Sequence, residues 1–185
     1  MKRVIVITGT PCTGKTTISE KLIRRTGNSE LIKANEIVKG KKLFKGYSEG
    51  GEMIADMKAL RMELEKRIRA SKAELVIAEG HLLCDIPIRG AVAIVIREHL
   101  NTLLARMKKR GYSKNKIEGN IVSEAIDYCG VNAAENYMEV YEVMGGTAAI
   151  AFIESIIKGR RKTGAEIDML GELNGLAKKL GKQVI

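Results

Sequence analysis

The run Gly9-Thr10-Pro11-Cys12-Thr13-Gly14-Lys15-Thr16 constrains this chain more than any other stretch. Two glycines bracket four residues and are followed by Lys and Thr, the pattern of a phosphate-binding loop. Its surroundings read as the strand and helix that the pattern needs. Arg3-Val4-Ile5-Val6-Ile7-Thr8 reads as a buried strand, and Thr16 to Ile23 as the helix that follows. The glycines let the backbone turn sharply, so that successive N–H groups converge on phosphate oxygens, and the helix N-terminus adds a partial positive charge. Lys15 is expected to meet the outer phosphates of a nucleoside triphosphate, and the Thr16 hydroxyl to ligate the magnesium that accompanies them. A glycine-rich turn without a ligand would need neither the lysine nor the hydroxyl.

The chain has 185 residues, enough for one well-buried α/β domain and short for two, so residues 1–185 are expected to form a single domain. It has no Trp, which leaves Leu, Ile, Val, Ala and Met to build the core. Thirty-two basic against twenty-two acidic residues give a formal charge of +10, which favours acidic partners such as nucleotides and RNA without naming one. Solvated surface charge would account for the same number. Cys12, Cys84 and Cys129 are widely spaced and lack metal-ligand spacing, so neither a disulfide framework nor a zinc site is expected, and a reducing compartment fits. Cys12 sits inside the phosphate loop, where oxidation would block binding, but it reads first as a small residue at a free position of the motif. The first apolar run is too short for a signal-peptide core and no segment is long enough to span a membrane, which predicts a soluble cytoplasmic protein.

Strand-like and helix-like segments alternate, the pattern of a parallel sheet covered on both faces. Glu30 to Lys33 predicts a second strand, and Asn35 to Val38 the start of a brief helix. Lys39 to Gly51 reads as a Gly- and Lys-rich loop. Met53, Met57, Leu60, Leu64 and Ile68 recur at helical spacing within 52–70. Strands are expected at Glu74–Glu79 and Ala91–Ile96, the latter apolar throughout as a central parallel strand should be. Leu100 to Lys109 predicts a helix, and Ser113 a cap for another running from about Lys114 towards Ala134. Tyr137 to Met144 predicts the fifth strand. Ala148–Lys158 and Ile167–Leu180 read as closing helices around a basic turn at Gly159-Arg160-Arg161-Lys162.

Phosphate loops serve GTPases, motor ATPases and small-molecule kinases. A GTPase needs an Asp for the guanine edge; the nearest approach, Asn115-Lys116-Ile117-Glu118, has Glu there and follows a helix and turn rather than a strand. A large ATPase module needs more chain. A kinase needs an acceptor site after the second strand, a basic lid and a strand-end carboxylate beside the magnesium. The segment of about 34–57 can supply the first. Arg106, Lys108, Lys109, Arg110, Lys114 and Lys116 cluster where a lid of about 109–119 would lie, and Glu79 ends a strand. The plainer readings are a solvated basic helix end, a carboxylate helix cap, and a structural role for His81. Together with the loop, the parts favour a kinase.

The residues resemble the adenylate kinase isoenzyme 6 family, small kinase-like ATPases. The resemblance runs from Val4 to about Glu142. It is carried by Thr8 through Thr17, Gly46-Tyr47, Glu79-Gly80-His81, and Arg97 through Arg110-Gly111-Tyr112 to Asn120-Ile121. It implies a P-loop fold with a five-stranded parallel sheet of the adenylate kinase kind, flanked by helices, with a short acceptor insert and a short lid. It also implies transfer from ATP to AMP with magnesium, a slow ATPase activity, and a link to small ribosomal subunit assembly through a ribosomal protein and the pre-ribosomal particle. A monomer is the expected state. Carried over by position, Cys12, Gly14, Lys15, Thr16 and Thr17, with Thr13 among them, would contact ATP. Arg110 would lie over the nucleotide from the lid, and His81 falls on the histidine tied to hydrolysis. Many members carry Asp in place of Glu79, Arg in place of Lys39 and Gly in place of Cys12, and the region after Gly145 matches loosely.

Overall fold

Val4 to Ile7 is an unbroken β-branched run, and such a run suits only a strand covered on both faces. A computed structural model of the chain describes residues 2–48, 51–160 and 167–179. The chain runs through β1 (Arg3–Thr8), α1 (Lys15–Arg25), β2 (Ser29–Lys33), α2 (Ala34–Gly40), β3 (Phe44–Tyr47), β4 (Met53–Ala55), α3 (Met57–Ala70) and β5 (Leu75–Glu79). A 3-10 turn at His81–Asp85 leads to β6 (Val92–Arg97), α4 (Leu100–Lys109), α5 (Lys114–Ala125), α6 (Tyr128–Asn136), β7 (Val140–Met144), α7 (Thr147–Ile157) and α8 (Leu170–Lys179). Five strands form a sheet in the order β2-β5-β1-β6-β7, parallel at every pairing. This is the expected adenylate kinase-like P-loop fold.

Alternate side chains of β1 serve opposite faces. Val4 and Val6 join Val76, Ala78, Ala93 and Val95 under α3, where Leu60, Leu64 and Ile68 are buried. Ile5 and Ile7 join Ile77, Ile94 and Ile96 under α1 and α7. A third core lies beyond the sheet, where Met169 and Leu176 of the C-terminal segment pack with Leu100, Leu103, Met107, Ile117 and Ile121 of α4 and α5. Glu172 fastens that joint: its Oε1 lies 2.5 Å from His99 Nδ1 and its Oε2 accepts from Leu100 N at 2.9 Å, at the head of α4. No helix among the described residues is long and apolar enough to cross a membrane.

Several sequence expectations change at their edges. Met53 belongs to β4, not to the helix. The Asp56 side chain accepts from Ala59 N at 3.0 Å and caps α3 there, while β3 and β4 pair antiparallel. Of the expected Lys39–Gly51 loop, Lys39 and Gly40 thus end α2 and Phe44–Tyr47 form one strand of a hairpin. The long helix from Lys114 is two helices, because Asp127 takes φ +55° and its carboxylate accepts from Gly130 N at 3.1 Å to start α6. The fifth strand starts at Val140, since Tyr137 instead buries its ring, with its hydroxyl 2.7 and 2.6 Å from the carbonyls of Leu83 and Ile86. α8 begins at Leu170 rather than Ile167, and Arg161-Lys162 of the basic turn lie outside the described residues.

One buried cation ties these pieces behind the sheet's carboxyl edge. Arg97, 1% exposed at the end of β6, lies 3.1 Å from Glu124 Oε1, 2.6 Å from Asp127 Oδ1 and 2.5 Å from Glu142 Oε2. It also donates to the Glu124 carbonyl at 2.8 Å. Burial, and then the neighbouring Asp127 charge, push the Glu142 carboxyl up to about 7. Removing the cation would leave these carboxylates uncompensated. Arg97→Met is expected to cost about 3–5 kcal/mol in urea unfolding; a loss below about 1 kcal/mol would mean that the cluster does not bind α5, α6 and β7 to β6.

Candidate functional site

The loop between β1 and α1 leaves the sheet where the strand order turns back, with β5 on one side of β1 and β6 on the other. Gly9, at φ +130°, passes so close to β6 that a Cβ would lie 2.3 Å from the Ile96 carbonyl oxygen, so only glycine fits. Gly14 takes φ +95° and leads into α1. Cys12 also lies at positive φ, +74°, a conformation that suits glycine better and costs about 1 kcal/mol in an L residue.

No side chain caps α1, and its first turn carries no acidic residue. That turn holds Lys15 instead, 7% exposed, with Nζ donating to the Thr10 carbonyl at 2.8 Å. A cation at the positive end of a helix is unfavourable by itself. Burial lowers the Lys15 pKa, and the facing Glu79 opposes that drop. Glu79 ends β5 at 6% exposure, and the Thr16 hydroxyl donates to its Oε2 at 3.2 Å. Burial raises the Glu79 pKa, while Lys15 and the Thr16 hydroxyl hold it back. The hydroxyls of Thr10 and Thr13 are buried in the loop without a protein hydrogen-bond partner.

Arg110, just past α4, donates to Cys12 Sγ at 3.3 Å. Arg106, in the last turn of α4, donates to the Cys12 carbonyl at 2.9 Å and pairs with Glu98 at 2.8 Å. Beside them opens a cleft of about 360 Å³ lined by Thr13, Thr17, Lys21, Glu98, Gly146 and Thr147, among others. A larger groove of about 530 Å³ runs along the outside of α3. Its carboxylates are already engaged, Glu63 with Lys41 and Arg67 and Glu65 with Arg61, so it offers no comparable chemistry.

The structure thus gathers Cys12, Thr13, Gly14, Lys15, Thr16 and Glu79 around one loop, with Arg110 above Cys12 and Thr17 on the cleft side. His81 stands apart from these, at the start of the 3-10 turn after β5 and outside the lining of the cleft. Burial, then the cations Lys15 and Lys116, push its imidazole down to about 4. Sequence reasoning did not single out Thr10, Glu98 or Arg106 as site residues. Arg106 was visible only as one of a basic cluster, and the part played by Thr10 is a carbonyl, which side-chain identity cannot disclose.

Residues 5–127 match a family model described as an AAA domain. A protein of Methanosarcina barkeri named "Putative adenylate kinase" is 38% identical over 141 residues, spanning 76% of this chain and 75% of that one. Its namesake from Pyrococcus furiosus is 34% identical over 142 residues, spanning 76% and 73%. The chain belongs to this adenylate kinase-like P-loop family. The shikimate kinase of Acinetobacter baumannii shares the fold, with a TM-score of 0.58 at 15% identity over 87% of this chain and 96% of that one.

Magnesium, which the family implies, fits the residues present. Among the described residues no group of three or more His, Cys, Asp or Glu could hold a metal. Magnesium at nucleotide sites is held by one or two protein oxygens, with phosphates and waters completing the shell. The paired Thr16 and Glu79 oxygens are a donor set of that kind.

The His81 shift has a consequence for stability. The unfolded chain takes up a proton near 6.5 but the folded one waits until about 4, so this group costs stability as pH falls through that window and nothing above it. From about pH 7 to pH 5, wild type is expected to lose more unfolding free energy than His81→Gln. Equal losses would mean that the ring is not held neutral.

Proposed function

We propose that the protein is an adenylate kinase-like phosphotransferase of the isoenzyme 6 branch, converting magnesium-bound ATP and AMP into two ADP. The observation that carries this is the 3.2 Å contact of the Thr16 hydroxyl with Glu79 beside a buried lysine at an uncapped helix start. A triphosphate in the loop would draw Lys15 from the Thr10 carbonyl, give the Thr13 hydroxyl a partner and answer the unbalanced positive charge. The adenosine would lie in the cleft between Thr17 and Thr147, with Gly14 and Cys12 against the phosphates. Arg110 would pair with phosphate from the lid, its planar guanidinium suiting that geometry. Magnesium, held by Thr16 and Glu79, would neutralise charge on the transferred group. The acceptor would sit on the insert of about 34–57, under the lid of about 109–119. An acceptor phosphate is already ionised at neutral pH, so catalysis would rest on positioning and charge stabilisation rather than on a protein base. A slow ATPase reaction would use the neutral His81 to orient water.

Purified protein with ATP, magnesium and a panel of nucleoside monophosphates is expected to form ADP in an AMP-dependent way. Phosphate release indifferent to every acceptor would overturn the kinase reading. Lys15→Met is expected to lower transfer about a hundredfold or more. Its melting temperature should stay close to that of wild type, because a costly buried charge leaves with the activity.

A second reading makes hydrolysis the biological act, in a cytoplasmic factor switched by nucleotide on a small-subunit pre-ribosomal particle. The exposed Val122, Ile126, Tyr128, Val131 and Met138 on and beside α5 and α6, with the net charge of +10, support it. His81→Ala should then reduce phosphate release much more than AMP phosphorylation, and equal losses in the two assays would remove the separate role of His81.

A further inference from the structure

Among the described residues the hairpin side and the lid side meet at a charged contact. Lys116, in the first turn of α5, holds Nζ 2.6 Å from Oε1 of Glu52, which stands just ahead of β4. The same ammonium lies 4.5 Å from the centroid of the Tyr112 ring. The two side chains keep 33% and 49% of their exposure, so the pair stands at the surface, where ion pairs are weak and exchange partners. His81, in the 3-10 turn after β5, is near enough for both charges to act on its ring, with opposite sign, as Lys15 also does. Lys116 therefore joins the hairpin side to the lid side near a ring that also feels the phosphate-loop lysine.

Two of the other cations of the cluster are differently employed. Arg106 and Arg110 are on the opposite flank, tied to Cys12 and lining the cleft beside Thr17 and Lys21. That flank would serve the donor. On the hairpin flank, Lys116 is the lid cation already in contact with an anion, and that anion is the protein's own.

Resting on the assignment of the hairpin side to the acceptor, we infer that Glu52 is a tethered stand-in for the acceptor's phosphate. Lys116 pairs with Glu52 in the free protein and with the phosphate of a nucleoside monophosphate in the complex. A phosphate monoester carries more negative charge and more acceptor oxygens than a carboxylate, so it wins the ammonium, and the Tyr112 face keeps that ammonium at the mouth in both arrangements. Glu52 then competes with the acceptor, and acceptor binding unties the hairpin from the lid.

The test is ADP formation at saturating magnesium-ATP with AMP varied, and thermal unfolding as the folding control. Glu52→Gln is expected to lower the KM for AMP about threefold. Lys116→Met should raise it about tenfold, moving KM more than kcat, and Lys116→Arg should restore most of the loss. The double variant should match Lys116→Met, because Glu52 acts only through Lys116. The KM for ATP should not follow these changes. An unmoved AMP KM in Lys116→Met, or a raised one in Glu52→Gln, overturns the inference while leaving the kinase reading intact. Wild type that makes no ADP from AMP overturns the acceptor assignment, and the inference falls with it.

Discussion

Lys15 is held almost out of water at the positive end of a helix, and much of the surrounding structure can be understood as support for that one charge. The Thr10 carbonyl turns inward to accept its hydrogen bond, which requires the loop to fold back on itself. Glu79 must arrive from β5 to lend it a field, which requires β5 beside β1. The loop can fold so tightly only because Gly9 leaves no atom between itself and the Ile96 carbonyl of β6. Both neighbours of the central strand are thereby committed, and with them the order of the sheet. Even so, the compensation is partial: burial wins over Glu79 in setting the lysine's proton affinity, and two threonine hydroxyls remain without partners. A pocket left positive and under-bonded is poised for a polyanion.

Cys12 shows how a sequence departure acquires a physical meaning. Its positive φ explains why glycine suits that place, and its side chain is accommodated because the thiol is covered by Arg110 and its carbonyl is held by Arg106. The strain of the loop and the docking of α4 are thus parts of one arrangement. Glu98 completes it from the end of β6 by holding Arg106 at 2.8 Å.

What could be read from the chain beforehand was whatever is encoded locally. The strand, loop and first helix follow from contiguous residues, and the five parallel strands from apolar runs separated by amphipathic ones. The hairpin of β3 and β4 was hidden because Lys, Gly and Ser suggest a loop, and because Met53 lies four residues before Met57 and mimics a helical stripe. Asp56, a capping residue immediately before the true start, was the signal available to correct it. The break at Asp127 was harder to see, since Gly119 and Gly130 were the obvious weak points and the left-handed residue is neither. The Arg97 cluster was out of reach altogether. Its partners come from α5, from the α5–α6 joint and from β7, and only the folded chain assembles them. The same holds for Glu52 and Lys116, which belong to different inserts.

The anchoring of α8 has a bearing on how this molecule can move. Met169 and Leu176 are shared between α4 and α5, and Glu172 is bonded at the very head of α4. A flap that swung α5 away as a rigid arm would have to shear a hydrophobic core and drag α8 along with it. The joint between α4 and α5 is only the short stretch Arg110–Ser113, where Gly111 takes φ +69°. On the function proposed above, such a molecule would work in short strokes, gated by the reach of an arginine or a lysine across a single turn rather than by a domain boundary.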